Sequence, residues 1–145
     1  MNTYEDIYKL AANGNAEAFS FLMAWNEYSH KVDDLLDNPE KDYEFFLSIL
    51  AYANVLYSCP FYQKHVQKLQ PIIRQVTSRY ADSVRMEKSD KPWEKQWADT
   101  LRFCGNDMVE AVAEIAGGYE LLRKVSPLLK ECSWKDHHNE LAQPV

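Results

Sequence analysis

From Asn15 to Asp37 the apolar side chains recur at the spacing of an α-helix, and no stretch of the chain sustains the alternation of a strand. At about 100° per residue, Ala18, Phe21, Leu22, Trp25, Tyr28, Val32, Leu35 and Leu36 fall on one broad face that must pack into the protein. Glu17, Ser20, Glu27 and Lys31 lie opposite and read as solvated. Between the two faces runs a third stripe of Phe19, Met23, Asn26, His30, Asp33 and Asp37, apolar at its start and acidic at its end. If a neighbour covers that stripe, its carboxylates sit at the edge of a groove. They then need a cation, a proton or a hydrogen-bond donor, because burial of a bare charge is costly.

The remaining segments are helical as well. Thr3 is placed to cap a short helix over residues 3–12, and Asn13-Gly14-Asn15 turns the chain into the helix just described. Asn38-Pro39 ends it. The segment Asp42–Tyr57 is apolar nearly all round, which predicts the most central helix of the fold, with Asn54 a core amide bonded to backbone. Phe61–Glu87 follows, kinked or divided by Pro71, with Val66, Leu69, Ile72, Ile73, Val76, Tyr80 and Val84 as core contacts. It is the most basic part of the chain, through Lys64, His65, Lys68, Arg74, Arg79 and Arg85. A helix over Pro92–Ala116, capped by Asp90 or a neighbour, carries Trp93, Trp97, Leu101, Cys104, Met108, Ala111, Val112 and Ile115 on its core face. Gly117-Gly118 breaks it, and Tyr119–Cys132 is the last helical stretch, interrupted by Ser126-Pro127. The expectation is an all-α, single-domain bundle of five to seven helices over residues 1–132. A polar tail, frayed from Ser133, occupies residues 133–145.

Composition narrows the class. Hydrophobic residues make up 46% of the 145 and glycines number four, which favours a helical globular domain over a disordered chain. A net charge of −6 sets the surface against nucleic-acid backbone. Cys59, Cys104 and Cys132 are widely spaced and form no CxxC pair, as in reduced cytoplasmic proteins. Residues 1–20 hold no apolar signal core, and no apolar run reaches membrane-spanning length. The expected setting is therefore cytoplasmic, with neither nucleic acid nor membrane as a partner, and a homodimer is compatible with the chain.

A second acidic stripe lies beside the core face of the Pro92–Ala116 helix: Phe103, Asp107, Glu110 and Glu114. Like charges at i,i+3 and i,i+4 repel by a few tenths of a kcal/mol per pair on an exposed helix. Two readings of the paired stripes stand side by side. They are the solvated flank of an acidic protein, or they face one another across a groove and hold Mg²⁺ or Mn²⁺. Oxygen donors suit those ions, which bridge to ligand phosphates. On the second reading Asp33, Asp34, Asp37, Asp107, Glu110 and Glu114 are the metal ligands, with Asn26, His30 and Asn106 as further contacts. Basic residues from Phe61–Glu87 would add positive charge toward the phosphate.

Asp33-Asp34-Leu35-Leu36-Asp37 resembles the DDxxD motif of class I isoprenoid synthases. The run Asn106-Asp107-Met108-Val109-Glu110-Ala111-Val112-Ala113-Glu114 resembles their NDxxSxxxE motif, with Glu110 where Ser or Thr is usual. That resemblance implies an all-helical cavity in which the two motifs hold Mg²⁺ ions on a diphosphate. Asp34xxAsp37 and Asp107xxGlu110 also resemble the acidic pairs of all-α nucleotide pyrophosphohydrolases of the MazG and dimeric dUTPase type. The whole chain is similar in character to uncharacterised phage and prophage proteins. The functional expectation is metal-dependent binding, with hydrolysis or transfer left open, of a phosphate- or diphosphate-containing small molecule. The alternative is a non-enzymatic protein that binds a nucleotide or a partner protein.

Overall fold

The computed structural model describes residues 3–38 and 40–142, with side chains as far as His138. Among the described residues the structure is all α, with seven helices and no strand: α1 (Tyr4–Ala12), α2 (Ala16–Asp37), α3 (Tyr43–Ser58), α4 (Pro60–Lys64), α5 (Val66–Met86), α6 (Pro92–Leu101) and α7 (Asn106–Ala142). Among the described residues, no helix is long and apolar enough to cross a membrane.

Local chemistry sets the helix ends. Thr3 and Asp6 form a reciprocal capping box on α1, with both bonds at 3.1 Å. Asn13 closes α1 in the left-handed region at φ 52°, and Gly14 follows at φ 80°. The Asn15 side chain then caps α2 by accepting from the Glu17 and Ala18 amides. Asp42 caps α3 through the Phe45 amide, and Pro60 and Pro92 open α4 and α6 at their first positions. The residue preceding Pro92 at the cap is Lys91, which makes no side-chain cap bond, so Asp90 does not cap α6.

The helix α7 is a hairpin. A straight helix of its 37 residues would be roughly 55 Å long. Yet Asn106 at its start donates from Nδ2 to Ser133 Oγ at 2.7 Å. The fold-back occurs at Gly118, whose φ of 77° and ψ of −175° lie where only glycine is at ease. Residues 106–117 and 119–142 are therefore two arms. The α1 helix packs along them antiparallel to the second arm, with Tyr4 Oη 2.8 Å from Ser133 Oγ and Asn13 Nδ2 donating to Ala116 O at 3.0 Å. The core includes Ile7 and Ala11 of α1, Phe21, Leu22 and Trp25 of α2, Leu56 of α3, Phe61 of α4, Leu69 of α5, and Met108, Val112, Val125 and Leu129 of α7. The α3 helix lies on α2 and α4 at one edge, and α6 lies on α5 at another.

Several expectations are corrected. The helix expected at the centre, α3, is peripheral: only Ile49 and Leu56 are buried, and Asn54 is exposed. All-round apolarity describes what a helix could bury, whereas chain connectivity decides what reaches it. The Pro92–Ala116 helix is divided by turns over residues 102–105, where i→i−3 bonds such as Asp107 N to Cys104 O replace helical ones. That break rotates α6 away, leaving Trp93 and Trp97 55% and 54% exposed instead of in the core. The Phe61–Glu87 segment breaks at His65, and Pro71 is absorbed early in α5. Ser126-Pro127 does not interrupt α7, whose helix runs through Pro127, and the stretch after Cys132 is helical to Ala142, with Ser133 buried, so it is no frayed tail over its described part.

Candidate functional site

A cleft of 340 Å³ opens between α2, α5, the 102–106 turn and the end of the second α7 arm. Its base is fixed by hydrogen bonds between elements distant in sequence. Trp25 Nε1 donates to Gly105 O at 3.1 Å, and Tyr8 Oη donates to Asn26 Oδ1 at 3.1 Å. Asn106, Ser133 and Tyr4 continue this polar chain. Apolar and aromatic walls come from Tyr28, Val32 and Leu36 on one side and Val76, Tyr80 and Val84 on the other, with Phe103 and Cys104 between. The rim carries Asp33, Asp37, Glu87, Lys88, Arg102 and His137.

Helical spacing explains the two rim carboxylates. Asp33 and Asp37 are one turn apart on α2, and both face the cleft. The Tyr80 hydroxyl of α5 donates to Asp33. Burial first, then that bond and the neighbouring Asp33 and Asp37 charges, raise the Tyr80 phenol above its ordinary range, so it stays protonated and a donor. Burial, followed by the charges of Asp33 and Glu87, also raises the Asp37 carboxyl, against the pull of Arg102. Arg102 is in turn oriented by His137, whose Nδ1 lies 3.0 Å from Arg102 Nη1 and therefore serves as acceptor. Burial pushes the Cys104 thiol up to about 11, and its Sγ–H points to Val76 O at 3.5 Å, which makes it an unreactive wall atom.

Of the residues singled out by sequence, Asn26, His30, Asp33, Asp37 and Asn106 line this cleft. The others lie elsewhere. Asp34 turns to a shallower depression of 230 Å³ with Glu27, Lys31 and Tyr52. Asp107 pairs with Arg79 of α5 outside the cleft, and burial raises its carboxyl even against that guanidinium. Glu110 lies near Asp107, and Glu114 is exposed. Arg79 and Tyr80 are adjacent on α5, yet they engage different stripes, so α5 stands between the second stripe and the first. Among the described residues, no group of three or more His, Cys, Asp or Glu side chains is arranged to hold a metal ion.

Sequence reasoning passed over Tyr4, Tyr8, Tyr80, Arg102 and His137. Arg102 carried one available signal, since it lies three residues before Gly105, where a helix is weakened. The expected basic residues of α5 do not line the cleft. Its cationic groups are Lys88 and Arg102, from the segments that follow α5 and α6. Comparison with known protein families, characterised proteins and solved structures gives no match for this chain.

Proposed function

We propose that this protein binds a small phosphorylated molecule with a flat ring system, a nucleotide by chemical type, in the cleft between α2 and α5. The observation that supports this reading is the division of the cleft into an aromatic body and an ionic rim. Tyr28, Tyr80 and Phe103 offer faces and edges to a ring above the buried Trp25 at the base. Asn26, whose Oδ1 is held by Tyr8, keeps its amide nitrogen for an acceptor on that ring. Arg102 and Lys88 supply donors for phosphate oxygens, and Asp33 and Asp37 accept from sugar hydroxyl or ring amino groups.

A second reading adds a divalent cation. Its support is the crowding of Asp37 by Asp33 and Glu87, which a cation shared with a ligand phosphate would relieve. Two protein carboxylates with the remaining positions filled by water and phosphate is the usual economy of Mg²⁺ sites. Asp107, Glu110 and Glu114 take no part in this reading.

The test is thermal denaturation and tryptophan fluorescence with a panel of nucleoside mono-, di- and triphosphates and inorganic pyrophosphate, each with Mg²⁺, Mn²⁺ or EDTA. Replacing Trp93, Trp97 and Trp134 by Phe isolates Trp25 as the reporter within the cleft. A ligand at a hundredfold excess over its dissociation constant stabilises by roughly 2.7 kcal/mol. Stabilisation that Arg102→Ala abolishes supports the binding reading, and its loss in EDTA supports the cation. Melting curves that no phosphorylated compound moves, with or without metal, overturn both. Chromatography of the recovered ligand separates binding from turnover.

A further inference from the structure

The α3 helix carries two apolar stripes on opposite sides, and the fold uses one of them. Phe45, Ile49, Tyr52, Leu56 and Cys59 recur at spacings of four, three, four and three and turn inward toward α2 and α4. Lys31 and Lys41 cover the flank of this side by resting over the Phe45 and Tyr52 rings. Tyr43, Leu47, Leu50, Asn54 and Tyr57 recur at the same spacings on the far side, and all are exposed, with the Tyr57 ring at the end of the row resting against Tyr62 of α4 at 5.5 Å. Tyr43 is 72% exposed, Leu47 and Leu50 are each 53%, and Phe46 lies alongside them. A helix apolar all round is one that is covered all round, and among the described residues one coat is missing here.

We propose that a second copy of this chain supplies it, so that the protein is a symmetric homodimer paired through the outer stripes of two α3 helices. The 4-3-4-3 spacing is the a/d repeat of a two-stranded helical pair. Asn54 occupies the place where a lone asparagine in such a seam meets its own copy, so that each amide gives and accepts one hydrogen bond. A different partner would have to present a matching amide at that height, whereas a second copy presents it by symmetry. The outer stripe with Phe46 offers on the order of 600 Å² of apolar surface, close to the roughly 800 Å² each partner contributes to a standard interface. Charge favours the same face. The chain carries −6 overall and would repel its copy across most of its surface, but Tyr43–Ser58 contains one ionisable acid, Glu44, and no basic residue. The lack of basic residues on this helix also argues against an anionic lipid surface as the occupant.

Sedimentation equilibrium on the intact chain tests the proposal. The expected result is a dimer for the unaltered protein and a monomer for Leu47→Glu with Leu50→Glu, at unchanged helical circular dichroism because both side chains already face solvent. Leu47→Ala with Leu50→Ala, which adds no charge, should weaken the dimer by roughly tenfold or more. Trp93→Lys with Trp97→Lys removes the exposed apolar surface of α6 and should leave the dimer intact. A monomer at high micromolar concentration overturns the proposal. So does a dimer that survives the α3 pair of glutamates, or a monomer that binds neutral phospholipid vesicles through α3.

Discussion

The α3 helix and the first arm of α7 make opposite use of apolar side chains. The α7 arm spends Asp107, Glu110 and Glu114 on one side, yet Met108, Val109, Val112 and Ala113 are buried without remainder. The α3 helix carries one charged residue, Glu44, and buries two side chains, Ile49 and Leu56. The difference comes from neighbours. Residues 106–117 are surrounded because the chain folds back at Gly118 and α1 lies along the resulting hairpin. The α3 helix packs against α2 and α4, and no other element among the described residues lies over it. How apolar a helix is thus says how much it can bury, and topology says how much it does.

The largest expected effect contrasts these helices directly. Met108→Ala removes a fully buried side chain from the hairpin and should destabilise the fold by about 2–5 kcal/mol. Leu47→Ala on the outer side of α3 should stay within about 0.5 kcal/mol when the protein is dilute enough to be monomeric. Urea denaturation of both variants measures the pair. Equal losses would mean that α3 is packed as the α7 arm is, and the contrast would collapse.

Next in size is the turn that creates the contrast. Gly118→Ala forces a side chain into a backbone conformation near φ 77°, ψ −175° and should cost about 1–3 kcal/mol, although no neighbouring atom stands in the way of the added carbon. A variant as stable as the parent in urea would show that the two arms do not meet at this residue. Smaller again is Thr3→Ala, which unmakes the capping box of α1 and should cost about 1 kcal/mol, visible as a lower melting temperature.

Thr3 and Gly118 also show what the sequence carries about the fold. The Thr3 cap, the Asn13-Gly14-Asn15 turn and the Gly117-Gly118 break are local, and each is read correctly from a few neighbouring residues. The place of α3 and the outward turn of Trp93 and Trp97 are not local. Periodicity identifies a face and is silent on what covers it. The same limit governs the site. Asp33 and Asp37 are found because one helix displays them at one turn's spacing. Arg102, His137, Tyr8 and Tyr80 reach the cleft from four separate elements, and no spacing rule connects them. Asp107, Glu110 and Glu114 have the spacing of the first stripe, but α5 meets that side with Arg79. A stripe of acids is thus legible in sequence, and its counter-charge is not.

The smallest expected effect concerns the rim of the cleft, where the two stripes differ in their partners. Asp107 has the Arg79 guanidinium, whereas Asp37 feels the repulsion of Asp33 and Glu87 and a weaker attraction from Arg102. Burial and like charges hold the folded Asp37 carboxyl above its ordinary value of 3.8, so the folded chain binds that proton more tightly than the unfolded chain. Linkage of this sign favours the folded state below the unfolded value of 3.8, and the contribution is lost as pH rises through the raised folded value. At neutral pH the ionised Asp37 is a small liability, softened by its exposure to solvent. Asp37→Asn should therefore raise the melting temperature slightly at pH 7, and the gain should shrink as the pH approaches 3.8. An unchanged or lower melting temperature at pH 7 would mean that Arg102 already balances the site. Magnesium sharpens the same measurement. If a divalent cation settles between Asp33 and Asp37, millimolar Mg²⁺ with pyrophosphate should lift the unaltered protein and leave Asp37→Asn unmoved, which would remove the advantage of the variant. If the cleft takes its ligand without metal, Mg²⁺ should leave the difference between the two proteins as it was.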